Sequence, residues 1–264
     1  MSRVEGSKVT EADVADRSIP QGGLPSASPG PRRSAGIGFP IVLLLTAASL
    51  LFTMHFVAYR VPIEATMGIV QKVFYFHAPA GYAMYIGATA CFVGSCGFLV
   101  KGTPGWDALA RAGADVAVAM GLILLASGAL WAAKSWGVYW TWDPRLTTSL
   151  LIVLLYVAYV VLRSFAGNGD AERKFAAALG ILGAALIPII HFSVRLWGGT
   201  HPQVVTGKGG GLSHPDMKLG LLYGFIAFTL LSIALIWARA RLALAAARVD
   251  EVEQEAVDLG ILQD

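Results

Sequence analysis

Six apolar stretches, separated by short polar or charged connections, dominate the hydrophobic pattern of the chain. They lie near residues 36–59, 77–100, 113–133, 146–162, 175–194 and 218–238. Each has the roughly 17 to 25 residues that a helix needs to cross the hydrocarbon layer of a bilayer. Because only helices or closed barrels satisfy backbone hydrogen bonding in lipid, the pattern predicts an all-α fold, a polytopic membrane bundle of six transmembrane helices.

The composition supports this prediction and divides the chain into three parts. Hydrophobic residues make up 56% of the sequence and charged residues 14%, outside the usual range of soluble proteins. Residues 1–34 are rich in Ser, Pro and Gly and predict a disordered N-terminal tail. Residues 35–240 form the predicted membrane domain. Residues 241–264 are predicted to be a C-terminal tail that begins as an extension of the last helix and then frays.

The distribution of Lys and Arg predicts the orientation of the bundle. These residues are modestly more frequent in the two tails and in the second and fourth connections than in the other three. By the positive-inside rule, both termini are expected in the cytoplasm. All histidines of the chain then fall at or beyond the outer face, namely His55, His77, His191, His201 and His214.

Several function classes are disfavoured by what the sequence lacks. The predicted spans contain essentially no ionisable residue except Asp115, whereas ion-coupled transporters carry charged residues at mid-membrane. The glycine-rich stretch 207–213 lacks the spacing of a phosphate-binding loop and is interpreted as an external connection. Without a Cys-x-x-Cys motif, the chain is neither a thioredoxin-like reductant nor itself a c-type cytochrome. Any ATP that the process needs must be supplied by another subunit.

An aromatic connection at residues 134–145 is the most informative segment of the chain. Trp and Tyr gather at headgroup level in many membrane proteins, so an interfacial belt is one interpretation. A belt distributes its aromatic residues over several spans, however, and here they are concentrated in one connection. This density favours a shelf that receives a flat amphipathic ligand, formed by Trp136, Tyr139, Trp140 and Trp142.

Asp143 follows this aromatic cluster and directly precedes Pro144 and an apolar run. Such a pattern is typical of a helix N-cap followed by a first-turn proline. We therefore predict that Asp143 caps the fourth span. It would act on the site indirectly, by fixing the angle at which the aromatic shelf is presented.

Two histidines are candidate metal ligands. His77 lies at the outer start of the second span, and His191 lies near the outer end of the fifth, three residues after Pro188. Taken singly, each is typical of an interfacial polar residue. Taken together, they lie at similar depth on different helices beside an aromatic loop, which is what bis-imidazole ligation of a haem iron requires.

Basic residues on the same side are candidates for contacts with carboxylates such as haem propionates. Contact with lipid headgroups explains any one of them equally well. They are Arg60, Lys72, Lys134, Arg145 and Arg195.

Four segments together resemble a family of haem-handling proteins of cytochrome c maturation, the haem exporter protein C (CcmC) family. They are Tyr75-Phe76-His77-Ala78-Pro79, Trp136-Gly137-x-x-Trp140-x-Trp142-Asp143-x-Arg145, Pro188-Ile189-Ile190-His191-Phe192-Ser193-Val194 and Thr200-His201-Pro202. The resemblance covers roughly residues 36–240. One departure follows the second histidine, where the family commonly has a Trp-Trp pair and this chain has Leu196-Trp197.

The resemblance implies a non-covalently held haem b at the external tryptophan-rich loop, with His77 and His191 as the axial ligands. Together with the aromatic shelf and the basic residues described above, it gives the predicted haem-binding residues as Trp136, Tyr139, Trp140, Trp142, Asp143, Arg145 and Arg195. It also implies a multi-pass protein of the bacterial inner membrane with the haem site on the periplasmic side. The partners implied are a membrane-anchored haem chaperone, an ATP-binding cassette complex and a small accessory membrane protein, with no nucleic acid.

Two other functions remain as alternatives. The first is a cytochrome c synthase that attaches haem directly to apocytochrome, but related synthases are larger and carry a second pair of histidines within the membrane. The second is an electron-transferring cytochrome b, which needs haem ligands inside the bundle, where this sequence places none. The chain has no self-contained catalytic motif, so whether it counts as an enzyme stays open.

Overall fold

The computed structural model describes residues 37–165, 169–199, 201 and 211–261. The predicted N-terminal tail and most of the glycine-rich stretch 207–213 lie outside the described residues. A short 3-10 helix (Ile69–Val73) leads into the second of six long helices. The helices are α1 (Gly38–Tyr59), α2 (Phe74–Lys101), α3 (Pro104–Trp136), α4 (Pro144–Phe165), α5 (Asp170–Trp197) and α6 (Pro215–Asp258).

All six helices are long and apolar enough to cross a membrane, which confirms the prediction of an all-α, six-span bundle. Several extend beyond the predicted apolar stretches. α3 begins at Pro104 rather than near residue 113, because the extended Thr103 and a first-turn proline start the helix early. α6 continues to Asp258, well past residue 238, through an alanine-rich segment with high helix propensity.

α2 lies at the centre of the bundle, where it packs against α3, α5 and α6. Glycines allow its backbone to approach α3 closely. A Cβ added to Gly87 would lie 2.6 Å from the backbone nitrogen of Ala117, so a side chain at this position would force the two helices apart. Small residues at helix contacts permit this close packing in membrane proteins. The first turn of α2 is thereby held against the last turns of α3.

Two ion pairs join the helices at one end of the bundle. The Arg163 guanidinium on α4 lies 2.7 Å from the Asp107 carboxylate on α3, and both side chains are buried. Arg239 Nε on α6 donates to Asp115 Oδ2 on α3 at 2.7 Å. Asp115, the acidic residue predicted within a span, is therefore paired. Removal of either partner of the buried pair would leave an uncompensated charge.

The opposite end of the bundle carries the histidines. Lys72 Nζ, just before α2, donates to the Ala58 carbonyl near the end of α1 at 2.6 Å. Arg145, at the start of α4, donates to the His191 carbonyl near the end of α5. These contacts bring the C-terminal ends of α1 and α5 together with the N-terminal ends of α2 and α4. His55, His77, His191, His201 and His214 therefore share one end, as predicted.

Candidate functional site

A cavity of about 520 Å³ opens at the histidine end of the bundle. This volume is within the range of small-molecule sites, about 300–1,000 Å³. The wall combines residues of α2, α3, α4 and α5 with apolar side chains between them. Its imidazole, indole and guanidinium groups belong to His77, Trp131, Trp136, Trp140, Arg145, His191, Arg195 and His201.

His77 lies in the first turn of α2 with its ring against α3. Its Nδ1 is 3.0 Å from the Ser127 hydroxyl oxygen. The next residue on α3 is Gly128, and a Cβ there would lie 2.9 Å from His77 Cε1. The imidazole is thus confined between a polar partner and a glycine that leaves room for it.

His191 lines the same cavity from α5, but its side chain is exposed at the rim. Its ring packs edge-on against Phe192 with centroids 4.9 Å apart. The backbone here is tied to α4, since Arg145 Nε lies 3.5 Å from the Ile190 carbonyl and Nη2 lies 3.4 Å from the His191 carbonyl. The structure therefore brings both predicted ligands to one cavity, one shielded and one open to the surroundings.

The aromatic segment divides between two surroundings. α3 continues through Trp136 and ends at Gly137, whose φ of 73° provides a left-handed C-cap. Trp136 and Trp140 line the cavity, whereas Tyr139 and Trp142 are exposed by 66% and 76% and lie outside its lining. The predicted shelf thus presents two of its four aromatic side chains to the cavity. The other two face outward.

Asp143 caps α4, as predicted. Its Oδ1 accepts a hydrogen bond from the Leu146 backbone nitrogen at 2.9 Å, and its carbonyl accepts one from Thr147 at 3.0 Å. The side chain is buried and does not line the cavity. A Cβ added to Gly199, after α5, would lie 3.5 Å from Asp143 Oδ2. Asp143 thus lies between the start of α4 and the connection that leaves α5.

The predicted basic residues also separate. Arg145 and Arg195 line the cavity. Lys72 instead directs its ammonium to the Ala58 carbonyl. In the part of the chain that the structure describes, neither Arg60 nor Lys134 lines the cavity. Two guanidinium groups from α4 and α5 are therefore placed where they can bind an anionic ligand group.

His201 is a cavity residue to which sequence reasoning gave no role. Its ring lies edge-on to Trp136 with centroids 6.3 Å apart. The pKa of His201 is lowered to about 4, mainly by burial and also by the positive charges of Arg145 and His77, against the opposing effect of Asp143. Its Nδ1 is buried without a hydrogen-bond partner among the described residues. The imidazole is therefore neutral at physiological pH and has an unused polar atom.

Ser127 was also missed, because no pattern in the sequence connects it with a histidine 50 residues away. The signal for His201 was present in the Thr200-His201-Pro202 segment. That signal indicated membership in a group of motifs but not a position in the cavity.

Comparison with known protein families shows the family to which this chain belongs. The family model of Heme exporter protein C matches residues 29–255. The chain belongs to the haem exporter protein C family. The family places it in haem handling for cytochrome c biogenesis, and its six spans and bacterial relatives indicate a multi-pass inner-membrane protein.

Individual relatives support this assignment, and each of the following is called heme exporter protein C. The protein of Bradyrhizobium diazoefficiens is 33% identical over 175 residues, 66% of this chain and 66% of the relative. The protein of Rhodobacter capsulatus is 27% identical over 224 residues, 84% of this chain and 93% of the relative. The protein of Escherichia coli is 30% identical over 184 residues, 68% of this chain and 73% of the relative.

Proposed function

We propose that this chain binds haem in the cavity through His77 and His191 and delivers it to a membrane-anchored haem chaperone during maturation of c-type cytochromes. One observation carries the proposal. Imidazoles from α2 and α5 line a single cavity whose wall also presents indole and guanidinium groups. Haem is the cargo, held as a non-covalent b-type complex, so that its departure requires no covalent bond to break.

The side chains fit the three chemical features of haem. Its iron accepts two axial ligands, for which His77 and His191 are available. Its flat apolar ring suits the indoles of Trp136 and Trp140, and its propionates suit guanidinium groups. Among the described residues, no three His, Cys, Asp or Glu side chains form a site for a bare metal ion. A haem iron needs only two protein ligands because the porphyrin supplies the other four.

The cavity rim supports delivery to a partner. His191 is exposed, and Tyr139 and Trp142 present exposed aromatic surface on the same connection whose Trp136 and Trp140 line the cavity. Exposed aromatic side chains are common in protein interfaces. A chaperone that docks on this rim would displace the imidazole of His191 from the iron and accept the haem. His77, shielded against α3, would hold the haem until then.

The location and the partners complete the proposal. We place the cavity on the periplasmic side of the inner membrane, because the distribution of Lys and Arg favours cytoplasmic termini. An ATP-binding cassette complex and a small accessory membrane protein are the further partners. They would supply the ATP-dependent step in release of the loaded chaperone.

Purification in detergent tests haem binding. Wild type, His77→Ala and His191→Ala are expressed without the chaperone and compared by optical and pyridine-haemochrome spectra. Haem content is expected to fall sharply in both variants. His55→Ala is the matched control, because His55 lies at the same end on α1 but outside the cavity wall described. A wild type that contains no haem would refute the proposal.

A further inference from the structure

The hydroxyl of Ser127 on α3 lies within hydrogen-bond distance of one ring nitrogen of His77. Ser127 Oγ lies 2.6 Å from the Ile123 carbonyl oxygen and 3.3 Å from that of Leu124. A serine hydroxyl has one proton, and a carbonyl oxygen can only accept. The Ser127 proton is therefore committed to the backbone of its own helix. Towards His77, at 3.0 Å, Ser127 Oγ must act as the acceptor.

His77 Nδ1 must then be the donor in this contact. In a neutral imidazole, protonation of Nδ1 leaves the lone pair on Nε2. Gly128 leaves room for the ring in this position, since a Cβ there would lie 2.9 Å from His77 Cε1.

We propose that Ser127 is a positioning residue for haem, which holds His77 as the Nδ1-protonated tautomer with Nε2 available to the iron. This inference rests on the proposed function. Metal-bound histidines commonly donate their second ring N–H to a nearby acceptor, which fixes ring orientation and increases the basicity of the ligating nitrogen. Ser127 supplies that acceptor from α3, a helix that contributes no axial ligand itself.

The two axial candidates differ in this respect. Among the described residues, the His191 ring packs against Phe192, and its imidazole forms no hydrogen bond. Ser127 therefore makes His77 the fixed ligand of the pair. The ring of His191 remains free to leave the iron.

Three variants of haem-loaded protein test the role of Ser127. Ser127→Ala removes the acceptor, and Ser127→Thr retains a hydroxyl. Ser135→Ala is the control, because it makes the same change on α3 at a residue that does not line the cavity. In Ser127→Ala we expect haem to dissociate to an apomyoglobin scavenger about 10- to 100-fold faster, the usual effect of removing such a partner. The low-spin bis-histidine spectrum should weaken and the reduction potential should rise, because the ligand becomes less basic. Ser127→Thr and Ser135→Ala should resemble wild type.

The outcomes separate this inference from the proposed function. A haem-free wild type would refute the function. A wild type that needs His77 for haem, with Ser127→Ala unchanged in spectrum, potential and dissociation rate, would refute only the role of Ser127. Should Ser127→Ala not fold, nitrogen-15 NMR of histidine-labelled, haem-free wild type decides the question. A proton on Nδ1 of His77 is expected, and a proton on Nε2 would overturn the inference.

Discussion

At the scale of single residues, the three histidines of the cavity have different surroundings. His77 is confined by Ser127 and Gly128, His191 is exposed at the rim, and His201 is shielded beside Trp136. Identical side chains therefore meet different surroundings within one site. The neutral form of an imidazole is the one that can bind iron, and burial favours the neutral form.

The lowered pKa of His201 predicts an effect of pH on the haem-free protein. The pKa is about 4 in the folded chain, against 6.5 as the ordinary value. Between these values the unfolded state binds more protons, so stability falls as pH decreases from 6.5 towards 4. We expect the free energy of unfolding to lose roughly 2 kcal/mol from this histidine between pH 7 and pH 5, as 1.36 kcal/mol per pKa unit implies.

Thermal unfolding of wild type and His201→Asn in detergent measures this effect. The variant has no imidazole to protonate, so its melting temperature should fall less between pH 7 and pH 5. Parallel pH profiles of the two proteins would contradict the assignment. His55→Asn serves as the control for loss of a histidine elsewhere at the same end.

At the scale of elements, helix ends set the position of the site. α3 ends at Trp136 because Gly137 adopts a left-handed conformation, and α4 begins where Asp143 caps it. The aromatic connection between them is thus fixed at both ends. Two of its aromatic residues then face the cavity, and the start of α4 carries Arg145 towards α5.

Removal of the cap should loosen this connection. Asp143→Ala is expected to lower the free energy of unfolding by about 0.5–2 kcal/mol, the usual range for a lost N-cap. Asp143→Asn retains a capping oxygen and should be close to wild type. Thermal unfolding measures stability, and the haem dissociation rate reports the geometry of the site. If Asp143→Asn loses haem as fast as Asp143→Ala, the carboxylate charge rather than the cap is what matters.

The sequence predicted the helices better than it predicted the contacts between side chains. Six apolar stretches indicated six helices, since length and composition decide whether a segment can cross a membrane. The Asp143–Pro144 cap was also predictable, because capping is local in sequence. By contrast, nothing local separates Trp136 and Trp140 from the outward Trp142. The contact of Ser127 with His77 depends on the packing of α2 against α3, which no single segment specifies.

At the scale of the whole molecule, the two ends of the bundle have separate roles. One end holds the histidines and the cavity, and the other is joined by Arg163–Asp107 and Arg239–Asp115. The ion pairs connect α3 to α4 and to α6. They thus fix the relative positions of helices whose far ends form the cavity or approach it.

This separation predicts that stability and haem binding respond to different substitutions. Arg163→Met leaves Asp107 buried without its ion-pair partner and should cost about 3–5 kcal/mol, as is typical of a broken buried pair. A double variant, Arg163→Met with Asp107→Leu, should recover most of the loss. Melting temperature measures the cost. The protein that remains folded should have the haem spectrum of wild type. A selective loss of the low-spin signal would show instead that the two ends of the bundle are coupled.

The acceptor of haem would distinguish the proposed function from that of a cytochrome c synthase. All histidines of the chain lie at the cavity end, with no second pair within the spans. We therefore expect one haem site that gives up its cargo rather than one that attaches haem to a cytochrome.

Haem-loaded protein is mixed separately with the maturation chaperone, with reduced apocytochrome and with apomyoglobin, and transfer is followed by absorbance and by haem staining after denaturing electrophoresis. Haem should pass to the chaperone faster than to apomyoglobin, and apocytochrome alone should gain no covalent haem. Equal rates to chaperone and apomyoglobin would indicate passive release, and covalent haem on apocytochrome without the chaperone would favour the synthase.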